Sequence, residues 1–401
     1  MSVDLRTRVD SDQTPVEAGL FFRETLPARL DAHQGLIAPA ASQLRLKDFC
    51  IEVDSEAWTL SWQGERVCVT AGNSGQARVR LTAEQLRDIV NDQSTPVALM
   101  SNAILDMPEG GLPDFLDWWL VLRSALDGRR AHVAGDVGFT MDTRRSFTPE
   151  DSDEDMRLFL EEAGYLHIRG LFSKEEMAAV EADYAVAAPH YQKGDDRAWY
   201  ATTVDGDEHL VRMGGFDRYS ETALGLIDEE RFQRIAQIPA CGHITTREPG
   251  NRISALGKPI GVVKGISDVP WHKDCSLGRH SYECCGLTVG ISVTGADADS
   301  GQLRVVPGSH RALVWPAPCL QPRLDLQPID LPTQTGDVTV HLSCTLHMSQ
   351  PPIKRSRKVL YTGFGQLAPD AEQAAANRDR LSAVRSKTHT SVSQEPGYLG
   401  D

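Results

Sequence analysis

Several kinds of segment are missing from this 401-residue chain, and each absence excludes a class of protein. No run of eighteen uninterrupted apolar residues occurs, so no transmembrane helix is predicted. The polar, acidic start lacks the apolar stretch of a signal peptide. The eight cysteines form no Cys-x-x-Cys pair and are typical of reduced thiols inside a cell. We therefore expect a cytoplasmic protein without integral membrane association.

Positive charge is also scarce. The chain has 41 basic and 56 acidic residues, which gives a formal net charge of −15. No cluster of Lys and Arg forms a stripe that could follow a phosphate backbone. The charge pattern therefore favours a small-molecule substrate over nucleic acid as the partner, and it does not reveal the oligomeric state.

The length favours two domains. Residues 1–19 are polar and aperiodic, which predicts a disordered tail. Strand and helix patterns over 20–135 predict a smaller α+β domain, with a strand meander followed by a helix that starts at a capping box. We further predict a linker over 136–148, a catalytic domain over 149–366, and a C-terminal helix and tail over 367–401.

A candidate metal site begins at the segment Val-Pro-Trp-His-Lys-Asp over 269–274. On a strand, His272 and Asp274 would project from one face. His347, on a strand predicted to open at 336–337, is the best candidate for a third ligand. His341, predicted on the same strand, is interpreted as a neighbour of the site rather than a ligand. Two His and one carboxylate with open positions are typical of non-haem Fe(II) oxygenases, whereas structural zinc usually takes a fourth ligand.

Four motifs follow one another in a fixed order: Trp-His-Lys-Asp at 271–274, Gly-Gln-Leu-Arg-Val-Val-Pro-Gly-Ser-His at 301–310, Gly-Asp at 336–337 before His-Met-Ser at 347–349, and Arg-Lys at 357–358. In this order they resemble the phytanoyl-CoA dioxygenase family of Fe(II)/2-oxoglutarate oxygenases, over roughly residues 148–366. The resemblance implies a mixed fold, in which a catalytic double-stranded β-helix (jelly roll) with flanking helices follows the smaller domain. Many short strands separated by turns over 255–365 also favour a jelly roll.

The resemblance also implies site residues and cofactors. It makes three residues the Fe(II) ligands: His272, Asp274 and His347. Arg357 would pair with the far carboxylate of 2-oxoglutarate and Ser349 would hydrogen-bond to it, with O₂ as the other co-substrate. A guanidinium is a natural bidentate partner of a carboxylate. Arg355 is the local alternative to Arg357, and Lys264 is predicted to add a second positive charge near the co-substrate.

Three positions bear on the shape of the pocket. Met348 stands where the family commonly has Gly, and Gly290 stands where some members have Trp. Both differences suggest a reshaped pocket without removing a ligand. Cys275 is interpreted as a packing residue, although a thiol in the pocket is the alternative.

The N-terminal part resembles sterol-carrier-protein-like lipid-binding domains in its Glu-Ala-Trp-Thr-Leu strand at 56–60 and its Arg-Leu-Thr-Ala-Glu-Gln-Leu helix start at 80–86. This resemblance implies an apolar tunnel for a lipid-like molecule. In the alternative interpretation, Trp118 and Trp119 dock against the catalytic domain, as large aromatic side chains do at interfaces.

The predicted function is hydroxylation of an unactivated C–H bond in a small, apolar or acyl-type substrate, with release of succinate and CO₂. Asp274 favours hydroxylation over halogenation, since a halide would need the coordination position of that carboxylate. Two alternatives stay open. One is a non-oxygenase metal-dependent enzyme on a jelly roll, which would not need Arg357. The other is a lipid carrier with an inactive oxygenase-like domain, in which the three ligands would fail to meet.

Overall fold

The computed structural model describes residues 13–245, 247–265, 269–277, 284–367, 370–372 and 375–376. Most of the tail predicted over 1–19, and most of the helix and tail predicted over 367–401, lie outside the described residues. Within the described ranges, no helix combines the length and apolar content needed to cross a membrane.

The N-terminal part combines six helices with a five-stranded sheet. The helices are α1 (Ala18–Leu20), α2 (Leu26–Ala32), α3 (Gln34–Ala41), α4 (Ala83–Val90), α5 (Pro96–Ser101) and α6 (Leu112–Asp127), with a π-helical turn at Phe21–Thr25. The strands are β1 (Phe49–Val53), β2 (Glu56–Trp62), β3 (Val67–Ala71), β4 (Ala77–Leu81) and β5 (Asp106–Glu109). The predicted capping box is present, because Thr82 and Gln85 each accept a hydrogen bond from the other's backbone N–H at the start of α4.

The strand order of this sheet is β3-β2-β1-β4-β5, with β4 parallel to β1, so the prediction of a meander was wrong. The loop after β3 crosses one face of the sheet. There Thr59 donates to the carbonyl of Gly72 (2.7 Å) and accepts from the N–H of Ser74 (3.1 Å). Gly75 passes so close to Cys50 that an added Cβ would lie 2.6 Å from the Cys50 backbone nitrogen. The small residues of this loop are typical of a hairpin turn, but here they allow the loop to cross close to the sheet.

Helix α6 lies in the centre of the N-terminal hydrophobic core. Trp118 and Trp119 are fully buried in that core, which also receives Leu313 and Trp315 from the second half of the chain. The indole Nε1 of Trp315 donates to Oδ1 of Asp117 on α6 (2.9 Å). An aromatic contact between the two halves therefore exists, and Trp315 supplies it from the C-terminal side. The lipid tunnel implied by the resemblance stays a prediction.

Among the described residues of 149–366, there are four α-helices and two antiparallel sheets. The helices are α7 (Asp153–Ala163), α8 (Lys174–Ala187), α9 (Glu221–Asp228) and α10 (Glu230–Gln237). The strands are β6 (Tyr165–Ile168), β7 (Ala198–Thr203), β8 (Glu208–Gly214), β9 (Ser254–Lys258), β10 (Val262–Lys264), β11 (Val269–His272), β12 (Leu287–Ser292), β13 (Leu303–Val305), β14 (Ile329–Leu331), β15 (Val338–Leu342), β16 (His347–Ser349) and β17 (Arg357–Phe364).

These strands confirm the predicted jelly roll with flanking helices. The eight-stranded sheet has the order β10-β7-β8-β9-β17-β12-β15-β6, and the four-stranded sheet has the order β11-β16-β13-β14. Helices cover the outer face of the larger sheet, where Phe232 of α10 packs against Phe364 of β17 with ring centroids 5.6 Å apart. The inner face of the larger sheet is left for polar side chains that meet the smaller sheet.

The segment 336–349 is not the single strand that was predicted, because it divides into β15 in the larger sheet and β16 in the smaller sheet. Between them the side chain of Ser343 donates to the carbonyl of Gly286 (3.0 Å), and that of Thr345 donates to the carbonyl of Gly164 (2.7 Å). These bonds replace strand pairing at the break. The prediction that His341 and His347 lie on one strand was therefore wrong, since the two lie in opposite sheets.

The segment predicted as a linker is attached near both of its ends. His132 Nε2 lies 2.6 Å from Oδ1 of Asp325, and the N–H of Gly135 donates to Oδ2 of the same carboxylate (2.8 Å). At the other end, buried Phe147 forms an isolated bridge with Ile168. The division of the chain into domains around 136–148 stays a prediction.

Candidate metal centre

The predicted ligand side chains come together between the two sheets. His272 ends β11 and pairs directly with His347 at the start of β16, so the two imidazoles lie side by side with ring centroids 4.1 Å apart. Asp274 lies just past the end of its strand, in a 3₁₀ turn over Asp274–Leu277. One ligand atom from each of the three residues lies within 4.8 Å of the others. Strand pairing therefore places two ligands, and the turn delivers the third.

Hydrogen bonds leave one nitrogen of each imidazole for a metal. Nδ1 of His272 lies 2.8 Å from the carbonyl of Pro270, and Nδ1 of His347 lies 2.9 Å from the carbonyl of Thr345. A carbonyl only accepts, so each Nδ1 carries the proton and each Nε2 has a lone pair. These Nε2 atoms lie 3.5 Å and 3.9 Å, respectively, from Oδ1 of Asp274. This donor set fits an Fe(II) ion, which takes two His and one carboxylate with the other positions open.

Electrostatics keep these groups in the protonation states that metal binding needs. Burial lowers the pKa of His347 well below its usual range, and the neighbouring imidazoles lower it further, so this ring is neutral. Burial by itself raises the pKa of Asp274, but contacts with His272 and His341 outweigh it, and the pKa lies well below the usual range. An anionic carboxylate and a neutral imidazole are both metal ligands without the loss of a proton.

The second oxygen of Asp274 is contacted from the larger sheet. Thr288 Oγ1 on β12 donates to Oδ2 (2.6 Å), and Nε2 of His341 on β15 lies 3.4 Å from the same atom. Thr288 and His341 face each other across the two strands. The predicted role of His341 as a neighbour of the site, rather than a ligand, agrees with this position.

Two buried cations lie at the opposite end of the site. Arg357 on β17 donates to the hydroxyl of Ser349 (3.2 Å) and to the carbonyl of Gly301 (2.6 Å). Lys258 on β9 donates to the same hydroxyl (2.7 Å) and to the carbonyl of Gln350 (2.9 Å). Arg357 and Lys258 pair in register and are each only 5% exposed. Two positive charges therefore converge on one hydroxyl, which is a suitable environment for a carboxylate.

A small cavity leads away from Arg357 between the sheets. Its lining combines backbone, hydroxyl and apolar groups: Gly290, Ser292, Ala296, Leu303, Leu331, Thr333, Thr339, Arg357 and Val359. An added Cβ at Gly290 would lie 3.0 Å from Thr339 Oγ1 and 3.1 Å from the ring of Tyr361. A Trp at this position, as in some family members, would therefore not fit the cavity.

Neither Arg355 nor Lys264 lies at the site. Arg355 is exposed and pairs with Asp297 at the surface, so it does not reach Ser349. Lys264 is exposed on edge strand β10 and is not brought to the site. Lys258 was missed by the sequence reasoning. No local pattern distinguishes its Ser-Ala-Leu-Gly-Lys strand from other short strands, and only pairing with β17 places it beside Arg357.

Three thiols pack beside the metal centre. Cys275 Sγ lies 3.4 Å from Cys344 Sγ, and the N–H of Cys284 donates to Cys344 Sγ (2.6 Å). Burial raises the pKa of the Cys275 and Cys344 thiols well above their usual range. Protonated, mutually packed thiols support the interpretation of Cys275 as a packing residue.

The chain is similar to one protein family and to several solved structures. A family model described as phytanoyl-CoA dioxygenase (PhyH) matches residues 160–358. Among solved structures, AviO1 from Streptomyces viridochromogenes has 18% identity, covers 55% of this chain and 97% of its own, and has a TM-score of 0.41. The non-haem, α-ketoglutarate-dependent epimerase SnoN from nogalamycin biosynthesis has 17% identity, coverage of 53% and 80%, and a TM-score of 0.41.

EctD from S. alaskensis, solved with 2-oxoglutarate and 5-hydroxyectoine, has 16% identity, coverage of 59% of this chain and 82% of its own, and a TM-score of 0.43. No significant match was found among curated proteins.

Proposed function

We propose that the chain, in which residues 160–358 match the phytanoyl-CoA dioxygenase family model, is an Fe(II)- and 2-oxoglutarate-dependent dioxygenase. The finer part of the proposal is that it hydroxylates an unactivated C–H bond of a small, apolar or acyl-type substrate, releasing succinate and CO₂. The observation that carries the proposal is the convergence of three side chains with a suitable donor set: His272, Asp274 and His347.

In this proposal each part of the site has a separate task. His272 and His347 each direct Nδ1 to a backbone carbonyl and would offer Nε2 to the ion, and Asp274 offers one negative charge. When bound, Fe(II) and 2-oxoglutarate supply the activation of O₂ that the chemistry requires. The chain holds and orients these groups and keeps water away from them.

Two buried positive charges support the proposed binding of 2-oxoglutarate. Arg357 would hold the far carboxylate of 2-oxoglutarate through its guanidinium, with the Ser349 hydroxyl and the Lys258 ammonium beside it. Burial supports this role, because a charge-assisted hydrogen bond is stronger away from water. The apolar or acyl nature of the substrate is supported only by the resemblance of the N-terminal part to lipid-binding domains.

The test is an anaerobic titration of the apo-protein with Fe(II) and then 2-oxoglutarate, following the weak visible charge-transfer band of the chelate. We expect a band that saturates in the wild type. In Arg357→Ala, half-saturation should need about 10–100 times more 2-oxoglutarate, because a charge-assisted pair is lost. Arg355→Ala is the matched control, since that arginine is exposed at the surface, and it should titrate like the wild type.

Absence of the band in wild-type protein that has bound metal would contradict the proposal and favour a non-oxygenase metal enzyme. If the band forms, candidate apolar and acyl substrates are then incubated under ¹⁸O₂. Incorporation of one labelled oxygen into the product would support hydroxylation, and a product without added oxygen would contradict that finer assignment.

A further inference from the structure

The carboxylate of Asp274 is contacted differently on its two oxygens. Oδ1 faces the Nε2 atoms of His272 and His347, at 3.5 Å and 3.9 Å. Oδ2 faces the larger sheet, where the Thr288 hydroxyl donates to it (2.6 Å) and Nε2 of His341 lies 3.4 Å away. One oxygen is therefore directed to the other ligands, and the other is directed to two potential hydrogen-bond donors.

His341 is an unusual side chain for this position. It is 1% exposed, and neither of its ring nitrogens makes a hydrogen bond of good geometry with the described residues. Its ring centroid lies 4.0 Å from that of His347. A buried imidazole without a hydrogen bond is unfavourable. Its Nε2 lies 3.4 Å from Oδ2 of Asp274, so a small approach would give it a partner there.

We propose that Thr288 and His341 are positioning residues, which hold Oδ2 of Asp274 so that this carboxylate binds the metal through Oδ1 alone. The inference rests on the proposed function and deepens it. An oxygen that accepts a hydrogen bond from Thr288, with His341 Nε2 3.4 Å away as a second donor, is a poor second ligand atom, and hydrogen bonds to a ligating carboxylate also fix its orientation. A carboxylate that bound through both oxygens would occupy a coordination position that the co-substrate or O₂ needs.

The alternative role of His341 as a fourth ligand is disfavoured by its position. Its Nε2 approaches Oδ2, whereas the Nε2 atoms of His272 and His347 approach Oδ1. The group of ligand atoms that lie within 4.8 Å of one another in the described residues contains His272, Asp274 and His347, without His341.

The experiment measures Co(II) binding to apo-protein by calorimetry and visible absorption, which needs no turnover. We expect Thr288→Val and His341→Phe to bind Co(II) about 10–100 times more weakly than the wild type, as is typical when a hydrogen bond to a metal ligand is removed. His341→Gln should recover part of the affinity, because its amide can donate to Oδ2. The Co(II) absorption of the two weakened variants should also differ from that of the wild type, reporting a changed carboxylate.

The control is Thr362→Val, a buried threonine whose strand neighbour Val289 lies on the opposite face of the sheet from Thr288. It should bind Co(II) like the wild type. Thermal unfolding without metal is measured for every variant to confirm that it folds. Wild-type affinity and spectrum in both Thr288→Val and His341→Phe would overturn the inference and leave the proposed function standing.

Complete loss of binding in His341→Phe, equal to that in His347→Ala, would overturn the inference by making His341 a ligand. Failure of the wild type itself to bind Co(II) would instead overturn the proposed function on which the inference rests.

Discussion

Two buried arginines, one in each half of the chain, differ in what neutralises their charge. Arg123 on α6 is fully buried, lies 3.5 Å from Asp92 and 3.7 Å from Asp127, and donates to the carbonyl of Val90 (2.8 Å). Arg357 in the jelly roll is 5% exposed and contacts only neutral oxygens among the described residues. The protein therefore balances the first charge by itself, whereas in our proposal a ligand balances the second.

This difference separates a structural ion pair from a binding site. A buried charge costs free energy unless a partner compensates it. In the N-terminal half the compensation is permanent and contributes to the fold. In the jelly roll it would arrive with 2-oxoglutarate, so the same residue type should govern stability in one half and ligand affinity in the other.

The largest effect is expected from Arg123→Met. The substitution removes the positive charge that faces the buried Asp92 carboxylate, and we expect the free energy of unfolding to fall by about 3–5 kcal/mol. Equilibrium urea denaturation measures this change. Arg87→Met, on the surface of α4 next to Asp88, is the control and should change stability by less than about 1 kcal/mol. Equal free energies of unfolding for Arg123→Met and the wild type would contradict the interpretation of Arg123 as part of a structural ion pair.

Lys258→Met should affect ligand binding rather than folding. We expect about a tenfold weaker 2-oxoglutarate affinity with unchanged Fe(II) affinity, since the ammonium lies at the carboxylate end of the site and one such hydrogen bond is worth about one decade. The anaerobic titration described above measures both. Lys264→Met is the matched control, because that lysine is exposed on an edge strand. A larger loss of 2-oxoglutarate affinity in Lys264→Met than in Lys258→Met would instead support the predicted position of Lys264 near the co-substrate.

The smallest effect concerns pH and the contact between the halves. Burial raises the pKa of Asp117 from 3.8 to about 6, although the hydrogen bond from Trp315 opposes this. The folded protein thus holds a proton that the unfolded chain loses, so stability should fall as pH rises from about 4 to about 6. Asp117→Asn should remove this slope and be more stable at pH 7.5 by about 1–2 kcal/mol. The free energy of unfolding of both proteins is measured by urea denaturation at each pH, and parallel curves of stability against pH would contradict the expectation.

Local sequence patterns were sufficient for much of the fold. The capping box at Thr82, strands β1, β2 and β4, and helix α6 follow from turn signals and periodicity within each segment. The order of four motifs indicated the family whose model matches residues 160–358. His272 and Asp274, which are separated by one residue, also come together, as their spacing predicted. Asp274, however, lies in a turn and not on the strand.

Features that depend on distant partners could not be predicted. The break before β16 depends on hydroxyl bonds to Gly164 and Gly286, which are far away in sequence. The position of Lys258 depends on pairing with a strand about a hundred residues later. The crossing of β4 beside β1 depends on how closely Gly75 approaches Cys50. Each is a consequence of tertiary contact, for which a single sequence carries no periodic signal.

The division of 336–349 between two sheets has a thermodynamic consequence. His347 belongs to the smaller sheet, whereas Thr288, which holds Asp274, belongs to the larger one. An ion bound by His272, Asp274 and His347 would be linked to the larger sheet through the hydrogen bond from Thr288 to Asp274, so that its release and the separation of the sheets would be coupled. At a free concentration of about 100 times its Kd, the ion would raise the free energy needed to separate the sheets by about 2.7 kcal/mol. Amide hydrogen exchange would then slow in both sheets together.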